Sequence, residues 1–313
     1  MCGRWFALTS SVAVAIALPV AGQAPPDLQG VWSFALLTPL ERPSELAGKP
    51  VLSDQEAKEF ARKTIERNNK DNREGGNGAD VSRAYNDSWW DFGTRASNQT
   101  SLIVDPPDGK LPPMTPQGED RAATYRARLA RLPEGPEDRA LWERCILGFN
   151  SGPPMLPSAY NNNVAIFQTR DTVAVLNEMV HSARIVPLDG RPHGSLRQWL
   201  GDSRGHWEGN TLVVETVNFT NNGTGTAGLR VPLDENLRLV ERFTRKDPDT
   251  LVYQFTVDDP TIWTKPWTAV VPMTKTDGAI YEYACHEGNY GMVGILGGAR
   301  ADEKAAAAAA AKK

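Results

Sequence analysis

From Val164 onward the chain alternates apolar and polar residues at period two, and turn-forming residues interrupt it at short intervals. A strand's side chains point to opposite faces in turn, so this pattern builds half-buried strands and excludes helices over the same span. Val164–Thr169 and Thr172–Glu178 are separated only by Arg170-Asp171. Ala183–Leu188 ends at Asp189-Gly190, and Thr211–Phe219 follows the turn Trp207-Glu-Gly-Asn210. Asn236–Thr244 pairs naturally with Thr250–Val257, and Thr268–Thr274 with Ala279–His286 across Thr276-Asp-Gly278. These are about eight strands at the spacing of an antiparallel meander, preceded by an opening strand at Gly30-Val31-Trp32.

The first half reads differently. Ser53-Asp-Gln-Glu56 spells a capping box and predicts a helix to about Asn69. Thr115-Pro116 supplies an N-cap and a first-turn proline for a second helix, and Pro136–Cys145 predicts a third, short one. The expected fold is therefore α+β, mainly β: an antiparallel barrel or strongly curved meander. Helices and long loops from about residues 40–145 pack against it. Residues 23–300 form this single domain, and residues 301–313 form a low-complexity alanine-rich tail.

Residues 1–22 read as a secretory signal peptide. Arg4 precedes the apolar run Trp5–Val20, Val20-Ala-Gly22 offers small residues for cleavage, and the apolar core is too short for a membrane span. The expected location is periplasmic or secreted. Removing Cys2 with the signal leaves Cys145 and Cys285, an even pair in an exported chain, which predicts a disulfide. A net charge of −4 with no basic stripe gives no support for a nucleic-acid partner. The expected partner is a small-molecule ligand or substrate.

Candidate chemistry follows from strand parity. Glu241 shares a face with Leu237, Leu239 and Phe243, so it is either an acid/base group in the interior or one half of an ion pair with an arginine. His181 ends the row Val173, Val175, Asn177, Met179, and His286 lies in the stretch "YEYACHEGNY" beside Glu287. These two histidines are the candidate proton-transfer partners of Glu241. The four histidines show no ligand-like spacing, so no metal and no cofactor is expected. In "YEYACHEGNY", parity sends Cys285 and His286 to opposite faces. The cysteine is thereby assigned to a tie and the histidine to a polar rim.

Aromatic residues interleaved with amides and carboxylates suit a sugar-like ligand, whose C–H faces stack on rings. Trp89 and Trp90, Asn161 and Asn162, and Trp263 and Trp267 are candidate substrate-binding residues of this kind. Asp202 and Arg204 in Gly201-Asp-Ser-Arg-Gly205, and Glu287, are candidates for orienting a substrate. Two functions follow. One is an exported enzyme acting by acid/base chemistry on a carbohydrate-like or other polyhydroxylated small molecule, as a lyase, hydrolase or isomerase. The other is a non-catalytic binding protein.

Gly30-Val31-Trp32 followed by a meander resembles the opening of lipocalin-like (calycin) barrels, and this resemblance implies an internal ligand cavity. More of the chain is similar to an uncharacterised family of exported bacterial proteins. The blocks "TPLERP", "RAYNDSWWD", "TSLIVDPPDGK", "ERCILGFNSGPPMLPSAYNNN", "QWLGDSRGHWEGNTLVVET", "LVERFTR" and "CHEGNYGM" carry that similarity over nearly the whole mature chain. It implies no particular activity.

Overall fold

A computed structural model describes residues 25–72, 76, 78, 87–220 and 235–312. The signal-peptide segment, part of "RAYNDSWWD" and residues 221–234 lie outside the described residues.

Among the described residues ten strands form one antiparallel sheet: β1 (Gly30–Ser33), β2 (Ile103–Asp105), β3 (Asn163–Gln168), β4 (Thr172–Asn177), β5 (Ala183–Pro187), β6 (Asp202–Glu208), β7 (Thr211–Val217), β8 (Arg238–Asp247), β9 (Thr250–Asp258) and β10 (Trp267–Thr276). Their spatial order is β5-β4-β3-β1-β10-β9-β8-β7-β6. The long strand β10 pairs along one edge with β2 near its start and with β1 near its end.

Period-two burial holds as expected in β4, β8, β9 and β10, where buried and partly exposed residues alternate. Trp32, Phe34, Phe243, Tyr253, Phe255 and Trp267 are fully buried and fill the concave face. A core packed in this way leaves little room for a lipocalin-type internal cavity.

The sheet does not close into a barrel by hydrogen bonds. Its order ends at β5 and β6, and no ladder joins them among the described residues. It nevertheless curls strongly. Six steps separate β5 from β8 in the strand order, which in a flat sheet would be roughly 29 Å. Yet Arg184 of β5 is hydrogen-bonded to Glu241 of β8, with a 2.9 Å contact from Nη2 to Oε1. Gly205 of β6 also lies against β5, since a Cβ built there would come within 2.9 Å of Val186 Cγ1.

Three helices accompany the sheet among the described residues: α1 (Asp54–Asn68), α2 (Pro116–Ala130) and α3 (Tyr290–Ala310). The expected capping box is present at α1, where Ser53 accepts from the Glu56 amide and the Glu56 side chain returns to the Ser53 amide. Thr115 caps α2 by accepting from Gly118 N, with Pro116 in the first turn.

Three expectations need correction. The helix expected over Pro136–Cys145 is reduced to one 3-10 turn, Pro136–Asp138. Strand β6 was not expected, because Asp-Ser-Arg-Gly-His-Trp-Glu carries no run of apolar alternation. Ala279–His286 forms no strand: both edges of β10 are already taken, by β9 on one side and by β1 and β2 on the other. The chain instead runs irregularly to Asn289, which caps α3 by accepting from Met292 N.

Candidate functional site

The disulfide expected from the cysteine pair is present. Cys145 and Cys285 are bonded, with their Cα atoms 5.6 Å apart. The bond ties the irregular C-terminal segment to the turn-rich stretch before β3. Asn289 reinforces the tie, donating from Nδ2 to the Glu143 carbonyl at 2.9 Å. Arg300 of α3 adds a second anchor, donating to the carbonyls of Pro133 and Glu134 at 2.7 and 3.0 Å.

Beside the disulfide lies a groove of about 570 Å³, within the range of small-molecule sites. Its walls come from four places in the chain: Trp142, Phe149 and Tyr160 before β3, Val180 after β4, Tyr283 beside Cys285, and the first turns of α3. The rings form a connected set. Phe149 meets Trp142 edge-on at 6.2 Å and Tyr160 edge-on at 5.3 Å, while Tyr160 and Tyr283 stack at 6.4 Å. The set extends outward through Trp90, 6.3 Å from Tyr160 and stacked on Phe92 at 5.4 Å. Beneath the groove, Cys145, Met179 and Val180 form a small buried cluster separate from the main core.

Backbone geometry singles out the same place. Val180 has φ 57° and His181 φ 39°, and Cys145 also has φ 57°. A β-branched residue in the left-handed region is a true outlier, and such strain persists only where the surroundings enforce it. Gly148 permits the close packing here, since a Cβ would lie 2.1 Å from Met179 Cγ. The carboxylate in the groove wall, Glu143, is already committed. Its Oε1 accepts from Arg139 Nη2 at 2.5 Å and its Oε2 from Ala140 N at 2.9 Å.

Glu241 lies elsewhere, fully buried on the concave face as parity requires. Its Oε1 accepts from Arg184 Nη2 at 2.9 Å and from Tyr253 OH at 2.8 Å, and its Oε2 accepts from Arg184 Nη1. Tyr253 OH in turn accepts from Met155 N at 3.1 Å. Burial, and then the Glu241 carboxylate, push the Tyr253 phenol well above its ordinary pKa. Burial alone disfavours the Arg184 charge, but Glu241 outweighs it, so the guanidinium is held more firmly protonated than usual. Of the two readings of Glu241, this is the ion pair.

The remaining candidates divide. His181 and His286 are exposed and flank the groove, next to its lining residues Val180 and Cys285, so neither shares an enclosure with Glu241. Glu287 is exposed as well. Trp90 belongs to the ring set, whereas Trp89 is 67 % exposed. Trp263 and Trp267 are core residues, packed edge-to-face at 6.3 Å, and line no open mouth. Asn162 is fully buried and pins the loop, donating to the Asp91 and Ser158 carbonyls at 2.8 and 2.9 Å. Asn161, at φ 53°, is partly exposed and accepts from Asn150 through its carbonyl at 3.1 Å. Asp202 and Arg204 pair with each other on β6, and Asp202 also faces His193 at 3.3 Å. Phe149 and Tyr160 fall in the aromatic and amide-rich stretch 148–163 that sequence reasoning offered to a ligand, whereas Trp142 and Tyr283 were left unassigned; their signal was proximity in sequence to the two cysteines.

Comparison with protein-family models, with curated proteins and with solved structures finds no match to this chain.

Proposed function

We propose that this protein is an exported, non-catalytic binding protein that takes a small molecule with an aromatic or apolar body in the groove beside Cys145–Cys285. The observation that carries this reading is the ring set Trp142, Phe149, Tyr160 and Tyr283 around a volume of about 570 Å³. Rings set nearly perpendicular to one another offer both faces and edges to a planar ligand. The disulfide supports an oxidising compartment, in keeping with residues 1–22 as a signal peptide. Lipocalin-like character remains part of the proposal, supported by the curled sheet; the ligand, however, sits outside the packed interior.

Binding ranks above acid/base catalysis on a polyhydroxylated substrate for two reasons. The Glu241 carboxylate is spent on Arg184 and Tyr253. The groove walls are rings and aliphatic chains, and the Asn289 amide is taken up by the Glu143 carbonyl. A sugar site needs amides and carboxylates free to meet hydroxyls.

The test is titration of the oxidised mature chain with the neutral probe N-phenyl-1-naphthylamine, followed by fluorescence. The expected result is saturable binding at one site, weakened about tenfold or more by Phe149→Ala and Tyr283→Ala and unchanged by Glu241→Gln. Binding indifferent to both groove variants, or no saturable binding, refutes the reading.

A further inference from the structure

A second, more enclosed pocket of about 150 Å³ lies on the far side of the Arg139–Glu143 pair. Three arginines line it, Arg128 of α2 together with Arg139 and Arg144, and the rings of Tyr125 and Trp199 flank them. Arg139 is committed: it donates to Glu143 and to the Leu129 carbonyl at 3.2 Å. The other two are not. Arg144 makes no side-chain hydrogen bond among the described residues, and its one acidic neighbour, Glu137, stands 3.7 Å away. That carboxylate is 75 % exposed while the Arg144 side chain is 21 % exposed. A pair this long and this wet adds little.

Arg128 lies over the Tyr125 ring, its guanidinium carbon 5.2 Å from the ring centre. Stacking uses the guanidinium's face and leaves its N–H edges directed sideways. Its Nε is sealed from solvent and has no hydrogen-bond acceptor among the described residues. A buried donor without an acceptor is unfavourable, and two guanidinium groups in one enclosure repel each other. Solvated surface arginines show neither feature.

We infer that this pocket is a binding site for a tetrahedral oxyanion, phosphate or sulfate, free or as a monoester. Such an anion accepts from the Nη edges of both guanidinium groups at once and offsets their mutual repulsion. The volume suits one oxyanion with a small substituent, and Trp199 and Tyr125 are placed to flank an aromatic one.

The site is independent of the groove, and its test uses different probes and different residues. The folded chain is titrated calorimetrically with sodium phosphate, sodium sulfate, phenyl phosphate and, for comparison, sodium acetate, all at one ionic strength. The expected result is saturable one-site binding of phosphate, sulfate or phenyl phosphate, with acetate about tenfold weaker or more. Arg128→Met and Arg144→Met each keep the apolar stem and should weaken binding about tenfold. Arg126→Met, on the same helix but outside the pocket, should leave it unchanged. Tighter binding of phenyl phosphate than of phosphate identifies the natural occupant as an ester; equal binding identifies the free ion. Should either arginine variant fail to fold, quenching of Trp199 fluorescence by phosphate, abolished in Trp199→Phe, locates the site in the unaltered pocket. No saturable oxyanion binding, equal affinity in Arg128→Met and Arg144→Met, or equal weakening by Arg126→Met overturns the inference.

Discussion

Replacing Glu241 with leucine removes a carboxylate that is fully buried and accepts three hydrogen bonds, two from Arg184 and one from Tyr253. Leucine fills similar space, so the loss is electrostatic. Arg184, itself only 7 % exposed, is left charged with Thr216 Oγ1 at 3.4 Å as its remaining partner. Breaking one half of a buried pair costs about 3–5 kcal/mol. At roughly 2–4 °C per kcal/mol for a chain of this order, the midpoint should fall by roughly 10 °C. Replacing both partners, as Arg184→Met with Glu241→Leu, removes the stranded charge and should recover most of the loss, ending within about 1–2 kcal/mol of the parent. Urea denaturation of the oxidised chain, with both single variants and the double variant, measures the coupling directly. A Glu241→Leu cost under about 1 kcal/mol would show that the pair is hydrated, as an exposed pair would be, and would refute the argument.

Tyr253→Phe should flatten the alkaline limb of stability. Because the folded-state pKa of Tyr253 is raised, its contribution is complete below about pH 10, the unfolded value, and is lost as pH rises through the folded one. Thermal midpoints across pH 8–11 for parent and variant test this, and identical alkaline slopes count against it. Mutating both Cys145 and Cys285 to serine removes a cross-link spanning 140 residues, worth about 5 kcal/mol at most in chain entropy. The loss should appear as proteolysis after residue 279 and loss of groove binding before the sheet unfolds. Asn289→Ala removes the cap of α3 together with its bond to Glu143 and should cost about 0.5–2 kcal/mol, read by denaturation. Gly205→Ala sets a methyl within 2.9 Å of Val186 and should cost about 1–3 kcal/mol in the same assay.

Local rules carried most of the fold. Parity placed Leu237, Leu239, Glu241 and Phe243 on the buried face, and all four are buried. The capping signals at Ser53 and Thr115 marked two helix starts because they involve only neighbours three residues apart. What failed depended on partners distant in sequence. Ala279–His286 alternates like a strand, but a strand needs a free edge, and β10 has none to give. In β6 the reverse holds. Its Asp202 and Arg204 hide the strand pattern, and pairing with β7 over the full length of β6 supplies what propensity does not. The site was legible only in outline. The cysteine pair pointed to the loop and the C-terminal segment, but aromatic content alone could not separate Trp263 and Trp267, which are core, from Trp142 and Tyr283, which are groove.

The seam between β5 and β6 has a further consequence for how this chain behaves among its own copies. Each of these strands ends the sheet and carries backbone groups with no ladder partner on one side among the described residues. Exposed edges of that kind recruit strands from other molecules. Here the two edges shelter each other, with Val186 and Leu188 packed on Gly205 and Arg184 reaching across to Glu241. Prising the seam apart would uncover two adhesive edges at once. Destabilising lesions such as Glu241→Leu or Gly205→Ala should therefore form strand-exchanged oligomers on warming, at concentrations where the parent stays dispersed.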